Sequence, residues 1–276
     1  MAPIITLTTD FGTADAYVAS MKGVILGLNP EAVIVDITHA VEPQNILQAA
    51  FILSTVYRYF PEGTIHVAVV DPGVGSRRKA LILKSSTALF VAPDNGILSY
   101  IIDEHGKTHG KAARQIASTA ELRHLPHGLE AVAINNPEYW HHPVSSTFHG
   151  RDIFAPVAAH LSLGAELHKF GEKLSQAYAF AIPRPYKNAR GETVGRVLHI
   201  DHFGNLVTNI KNSDLPAKAT VSVGRHRIRG ISSFYAHAKG LAAVTGSSGY
   251  LEISMKDSSA AEFLKVRAGH EVIIET

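Results

Sequence analysis

Apolar and polar positions along the first hundred residues alternate between strand and helix spacing. Ile4-Ile5-Thr6-Leu7-Thr8 is a β-branched run that ends at Thr9-Asp10-Phe11-Gly12. Ala16 to Leu28 then follows helical spacing and stops before Pro30. Ala32 to Ile37 reads as a buried strand. Gln44 to Tyr59 reads as a helix, with Pro43 suited to its first turn. A third strand, Thr64 to Val70, runs into Asp71. Lys79 to Leu83 and Ala88 to Val91 are two further strands, and Asn95 to Asp103 is a helix closing near Gly106. Strands alternating with helices predict an α/β N-terminal domain with a mostly parallel sheet flanked by helices.

Residues 107 to 143 lose this rhythm and are rich in His, Pro and Asn, so loops with short helices are expected there. Ile153 to Leu163 predicts a helix ending at Gly164, and Pro183-Arg184-Pro185 reads as a linker. Beyond it the spacing changes. Val194 to Ile200, Ala219 to Val223 and Tyr250 to Ser254 are short strands separated by turn residues, and only Ser258 to Val266 looks helical. This predicts a smaller antiparallel β-barrel-like C-terminal domain. The expected division is 1–175 for the α/β domain and 190–276 for the small β domain.

Composition narrows the class. Hydrophobic residues are 46% and charged residues 18%, which supports a buried core and excludes disorder. Formal net charge is +2, and the densest basic cluster, Arg77-Arg78-Lys79, is too short for a nucleic-acid groove. The chain has no cysteine, which excludes disulfides, thiolate nucleophiles and cysteine-ligated zinc. Met1-Ala2-Pro3 leads straight into a strand-like run, so no signal peptide is expected. No apolar run approaches the roughly 18 residues of a membrane span. The expectation is a soluble cytoplasmic protein without nucleic-acid or membrane partners.

Ligands of parallel α/β sheets bind beyond the carboxyl ends of the strands. Asp10 and Asp71 both fall there, each followed by glycine within two residues. The plainer reading is that they cap a turn or the next helix. Asp71-Pro72-Gly73-Val74-Gly75-Ser76-Arg77-Arg78 is neither a P-loop nor a G-x-G-x-x-G motif, but an aspartate with an arginine can hold and polarise a water. Ser145-Ser146-Thr147-Phe148-His149-Gly150-Arg151-Asp152 gathers hydroxyls, an imidazole, a guanidinium and a carboxylate before a helix, with Asp152 expected as an N-cap or first-turn residue. Asp201 to Asn209 is either a hairpin turn or a ligand-facing one. His141 and His142 point to opposite faces of an extended segment, and the chain has neither H-E-x-x-H nor H-x-H, so no metal is expected.

Six motifs together resemble one family. They are Thr9-Asp10-Phe11-Gly12-Thr13, Val70-Asp71-Pro72-Gly73-Val74-Gly75, Ala92-Pro93-Asp94-Asn95-Gly96, Thr147-Phe148-His149-Gly150-Arg151-Asp152, Asp201-His202-Phe203-Gly204-Asn205 and Ser248-Gly249-Tyr250-Leu251. In this order, over nearly the whole chain, they resemble the S-adenosyl-L-methionine hydroxide adenosyltransferases, which form adenosine and methionine and are relatives of the fluorinase and chlorinase enzymes.

The resemblance implies S-adenosyl-L-methionine as substrate, no cofactor, and a homotrimer. The small domain of one subunit would then complete the substrate site of its neighbour. Asp71, Arg78 and His149 match a set that positions the attacking water. Asp10 matches a ribose-binding carboxylate, and Asp201 a carboxylate near the substrate ammonium. Ser247 and Ser248 match the segment at the methionine end, and Asn205 and Tyr235 match residues around the adenine. The chain departs from the family at Met255-Lys256-Asp257, where many members carry Asn. Three other readings stay open: a halide-using 5′-halo-adenosine synthase, a non-catalytic adenosine or S-adenosyl-L-methionine binder, and a metal-dependent hydrolase.

Overall fold

A computed structural model describes residues 2–106, 114–216, 218–234 and 240–275. The chain divides into two compact units, one of Met1–His109 and Thr119–Phe180, the other of Gly110–Ser118 and Ala181–Thr276.

The first unit begins with β1 (Ile4–Thr9), α1 (Tyr17–Leu28), β2 (Val33–Thr38), α2 (Ile46–Val56) and β3 (Thr64–Val69). It continues with β4 (Ala80–Lys84), β5 (Ala88–Pro93), α3 (Ser99–His105), β6 (Glu121–His124), β7 (Glu130–Ala133), α4 (Ala155–Ser162), β8 (Lys173–Leu174) and β9 (Gln176–Ala179). Seven strands form one sheet in the order β2-β1-β3-β5-β4-β7-β8. The first four of these are mutually parallel, and β4 runs antiparallel to both its neighbours. From β1 the chain turns outward to β2 and then returns to the other side of β1 as β3. The order therefore reverses between β1 and β3, and sheets of this kind bind ligands beyond the carboxyl ends of the strands at such a switch point.

Alternation along β3 shows how the two faces are filled. Ile65, Val67 and Val69 pack with Met21 and Ile25 of α1 and with α4, while Ala68 and Val70 pack with Ala49 and Leu53 of α2. On α1 the buried Val18, Met21 and Ile25 recur at helical spacing.

Several predicted bounds shift. The second helix starts at Ile46, because Asn45 caps it by accepting from the Gln48 amide at 3.0 Å. Pro43 therefore lies outside its first turn. β2 is an edge strand rather than a buried one, with Val33 46% exposed. The helix expected from Asn95 starts only at Ser99, because Asp94 to Gly96 form a turn in which Gly96 has φ +100°. The stretch expected as loops with short helices contains β6 and β7; residues 107–113 of it lie outside the described residues. These strands are four residues each, too short for alternation to reveal.

The second unit is an antiparallel sheet of β10 (Tyr186–Lys187), β11 (Thr193–Ile200), β12 (Leu206–Lys211), β13 (Thr220–Val223), β14 (His226–Arg229), β15 (Leu241–Thr245), β16 (Tyr250–Met255) and β17 (Glu271–Glu275). Its order β14-β13-β17-β11-β12-β16-β15 curls into a nearly closed, barrel-like sheet. Val197, Leu206, Val221, Leu251, Ile253 and Val272 fill the interior. A short helix, α5 (Ala260–Leu264), packs on it. Among the described residues no helix is long and apolar enough to cross a membrane.

Candidate active site

Thr9 of β1 stands in register with Val69 of β3, so Asp10 and Asp71 leave adjacent strands at the same end of the sheet. Past β3 the chain makes a tight loop, with the Val74 amide donating to the Asp71 carbonyl at 3.2 Å and the Ser76 amide to the Gly73 carbonyl at 3.0 Å. This returns Arg78 to Asp71. Arg78 Nε donates to Asp71 Oδ1 at 2.9 Å, and Nη2 donates to Asp71 Oδ2. The pair is two-pronged and largely enclosed, with side-chain exposures of 5% for Asp71 and 12% for Arg78.

Arg78 Nη2 also lies 3.0 Å from His149 Nδ1. Arginine has only donors, so Nδ1 accepts and the neutral ring carries its hydrogen on Nε2. Burial and the Arg78 charge lower the His149 pKa below the ordinary histidine value, while Asp71, Asp152 and the Ser145 carbonyl oppose that shift without reversing it. The Phe154 ring lies under the guanidinium, 5.4 Å from Cζ.

Two loops bring these groups together. They touch at Gly75, where φ is +77° and an added Cβ would sit 2.6 Å from the Ser146 carbonyl oxygen. Gly150 to Phe154 form a π-helical turn directly after His149, closed by the Ala155 amide on the Gly150 carbonyl. Asp152, expected as an N-cap or first-turn residue, is a first-turn residue here and lies buried in this turn. It accepts from the Ser145 amide at 2.8 Å, the Ser145 hydroxyl at 2.7 Å and Arg151 Nε at 2.6 Å. Burial favours its neutral form, but Arg151 and Ser145 outweigh burial and lower its pKa. Asp152 thus ties down the loop that presents His149.

Asp10 follows β1, the strand next to the one that leads to Asp71. Its Oδ2 accepts the Gln44 amide at 2.8 Å. Asn95 is a residue to which the motifs attached no role. Its Nδ2 donates to the Val70 carbonyl at 2.8 Å, on the peptide that leads into Asp71. Its signal was the turn motif that contains it.

The remaining expected residues lie in the second unit. Asp201 Oδ1 accepts the Phe203 amide at 2.9 Å and the Asn205 amide at 2.8 Å, and Oδ2 accepts Asn205 Nδ2 at 2.9 Å. Both side chains thus stabilise the hairpin turn between β11 and β12. Ser247 and Ser248 occupy the turn between β15 and β16, with the Ser248 hydroxyl 3.5 Å from buried Glu252. Tyr235 lies outside the described residues. No group of three or more His, Asp or Glu among the described residues could hold a metal ion.

The chain matches the SAM hydroxide adenosyltransferase N-terminal domain over residues 5–171 and the SAM hydroxide adenosyltransferase C-terminal domain over residues 195–273. It belongs to the SAM hydroxide adenosyltransferase family. It is 34% identical to a (R)-S-adenosyl-L-methionine hydrolase of Methanocaldococcus jannaschii, over 95% of this chain and 92% of that protein. It is 30% identical to a fluorinase of Actinoplanes sp., over 77% of this chain and 73% of that protein. The crystal structure of an uncharacterized conserved protein from Thermotoga maritima superposes with a TM-score of 0.84 at 34% identity, covering 99% of this chain and all (100%) of that one. In this chain, Asp71, Arg78 and His149 form a contiguous polar group at the sheet's switch point.

Proposed function

We propose that this chain hydrolyses S-adenosyl-L-methionine to adenosine and L-methionine, by in-line attack of water on C5′. The observation that carries the proposal is the contact of Arg78 with both Asp71 and His149. The sulfonium leaves as a neutral thioether and takes the C5′–S electron pair, so no acid is required for departure. The difficult partner is water. Holding a nucleophile in line removes a large share of a barrier, up to about 7–11 kcal/mol in ideal cases.

Each Asp71 oxygen takes one N–H from Arg78 and keeps a further lone pair, so the carboxylate can accept a water proton as O–C5′ forms. His149, with its hydrogen on Nε2, is a donor on that side and not the proton acceptor. Asp10, by its match, holds the ribose hydroxyls. A halide has no O–H to donate, and a carboxylate gripped by arginine is suited to orienting water rather than an anion. The homotrimer belongs to the same proposal, with Asp201, Asn205, Tyr235, Ser247 and Ser248 of the second unit serving a neighbouring subunit's substrate.

Incubation with S-adenosyl-L-methionine in ¹⁸O-water tests the reaction. The expected result is adenosine labelled at its 5′-hydroxyl, from the (R)-sulfonium epimer named in the hydrolase relatives. Unlabelled adenosine, or a 5′-halo-adenosine formed in proportion to added halide, would overturn it.

A further inference from the structure

Two threonine–histidine pairs cross the first unit's sheet, and they end differently. Thr6 Oγ1 meets His66 Nδ1 at 2.8 Å, but His66 Nε2 finds no partner among the described residues and the ring packs among Tyr57, Phe60 and Phe90. That pair fills core. Thr9 Oγ1 meets His39 Nδ1 at 2.8 Å in an equally buried setting. His39 Nε2 likewise makes no hydrogen bond among the described residues, but it stands 3.0 Å from Asp36 Oδ1, within ion-pair distance, and Lys22 Nζ donates to the other Asp36 oxygen at 2.6 Å.

The contacts form a continuous chain. The Phe11 amide donates to Thr9 Oγ1 at 3.2 Å, the Thr9 hydroxyl pairs with His39 Nδ1, and His39 Nε2 lies within ion-pair distance of Asp36. The His39 carbonyl also accepts the Gly12 amide at 2.8 Å. The turn that carries Asp10 is thus fastened on both sides to the segment after β2. That segment also supplies the Gln44 amide that holds Asp10 Oδ2, from a left-handed backbone with φ +65°. Side-chain-bearing residues rarely adopt that conformation, and such outliers persist only where surrounding contacts over-determine them. Among the described residues no protein donor reaches Asp10 Oδ1.

We propose that His39 is a positioning residue. By joining Thr9 to Asp36 it sets the Thr9–Gly12 turn, so that Asp10 offers one free carboxylate oxygen to the vicinal hydroxyls of a bound ribose. The proposal rests on the reading of Asp10 as the ribose carboxylate. It adds residues that touch no substrate and act only through Asp10.

The test compares adenosine with 2′,3′-dideoxyadenosine by calorimetry on the whole protein, alongside kcat and KM for S-adenosyl-L-methionine. The wild type should bind adenosine at least tenfold tighter than the dideoxy compound. Asp10→Asn should lose that preference. His39→Ala and the near-isosteric Thr9→Val should lose most of it and raise KM about tenfold, with kcat within twofold. Thr9→Ser should restore it, and Thr9→Val with Asp10→Asn should be no worse than Asp10→Asn alone. Full preference in folded Thr9→Val and His39→Ala proteins, or effects additive with Asp10→Asn, would overturn the positioning role and leave the ribose assignment intact. Full preference in Asp10→Asn, or none in the wild type, would overturn the ribose assignment and the positioning role together.

Discussion

Arg78 Nη2 stands 3.0 Å from His149 Nδ1, across 71 residues of sequence, while the same guanidinium holds Asp71. One cation therefore sets both the carboxylate that would take the water proton and the imidazole beside it.

Removing any member should impair rate more than binding. Asp71→Asn and Arg78→Ala are expected to lower kcat at least a hundredfold with KM changed only a few-fold, in line with general-base contributions of about 10²–10⁴. Steady-state adenosine release measures this. Arg78→Ala also leaves an enclosed carboxylate unpaired, at a cost of about 3–5 kcal/mol in urea unfolding. Wild-type kcat in both variants would exclude the assignment.

The pH dependence follows from the lowered His149 pKa. His149 must stay neutral to accept from Arg78, so activity should be flat through neutrality and fall only below the ordinary histidine range. His149→Gln keeps an acceptor that does not titrate. It should retain part of the rate and lose the acid limb of the kcat/KM profile.

His66 makes a separate prediction about stability. Burial lowers its pKa from 6.5 to about 4. Between those values the unfolded chain binds a proton that the folded chain refuses, so stability is full above pH 6.5 and falls as pH drops toward 4. The contribution is about 3 kcal/mol. Urea melts of the wild type and His66→Phe at pH 7 and pH 4.5 should show a smaller acid loss in the variant.

Gly96→Ala should destabilise the first unit. Its φ is +100°, and an added Cβ would lie 2.4 Å from the buried Phe180 ring. The expected loss is about 2–3 kcal/mol in urea unfolding. It should also perturb Asp71, because Asn95 next door holds the Val70 carbonyl.

The apolar pattern was sufficient for β1, β3 and α1, because the two strands are short runs buried on both faces and the helix buries one regular stripe. It placed the start of α2 two residues early, because a polar cap at Asn45 rather than the apolar run decides it. It failed for β6 and β7, whose four residues are too few to show a period. Strand-end position made Asp10 and Asp71 visible as candidates. Arg78 and His149 became candidates through motif order, since nothing local says that their loops touch. That contact depends on Gly75 approaching Ser146, a tertiary fact. The first-turn placement of Asp152 was legible, but its partner, Ser145, was not, because it lies seven residues back in a loop whose path local rules do not set.

The π-helical turn after His149 governs angular phase. In an α-helix each residue rotates by about 100°, so five residues end about 140° beyond a full circle. A turn closed from residue i to i+5 winds more slowly and brings the fifth residue nearer to one full circle. His149 and Phe154 are five apart, and both flank the Arg78 guanidinium, one accepting at its edge and one lying under its face. An ordinary helix over the same residues would swing one of them away. The extra residue in that coil is therefore a rotational spacer, and a one-residue deletion between Gly150 and Phe154 would unclasp the arginine while leaving every named side chain in the chain.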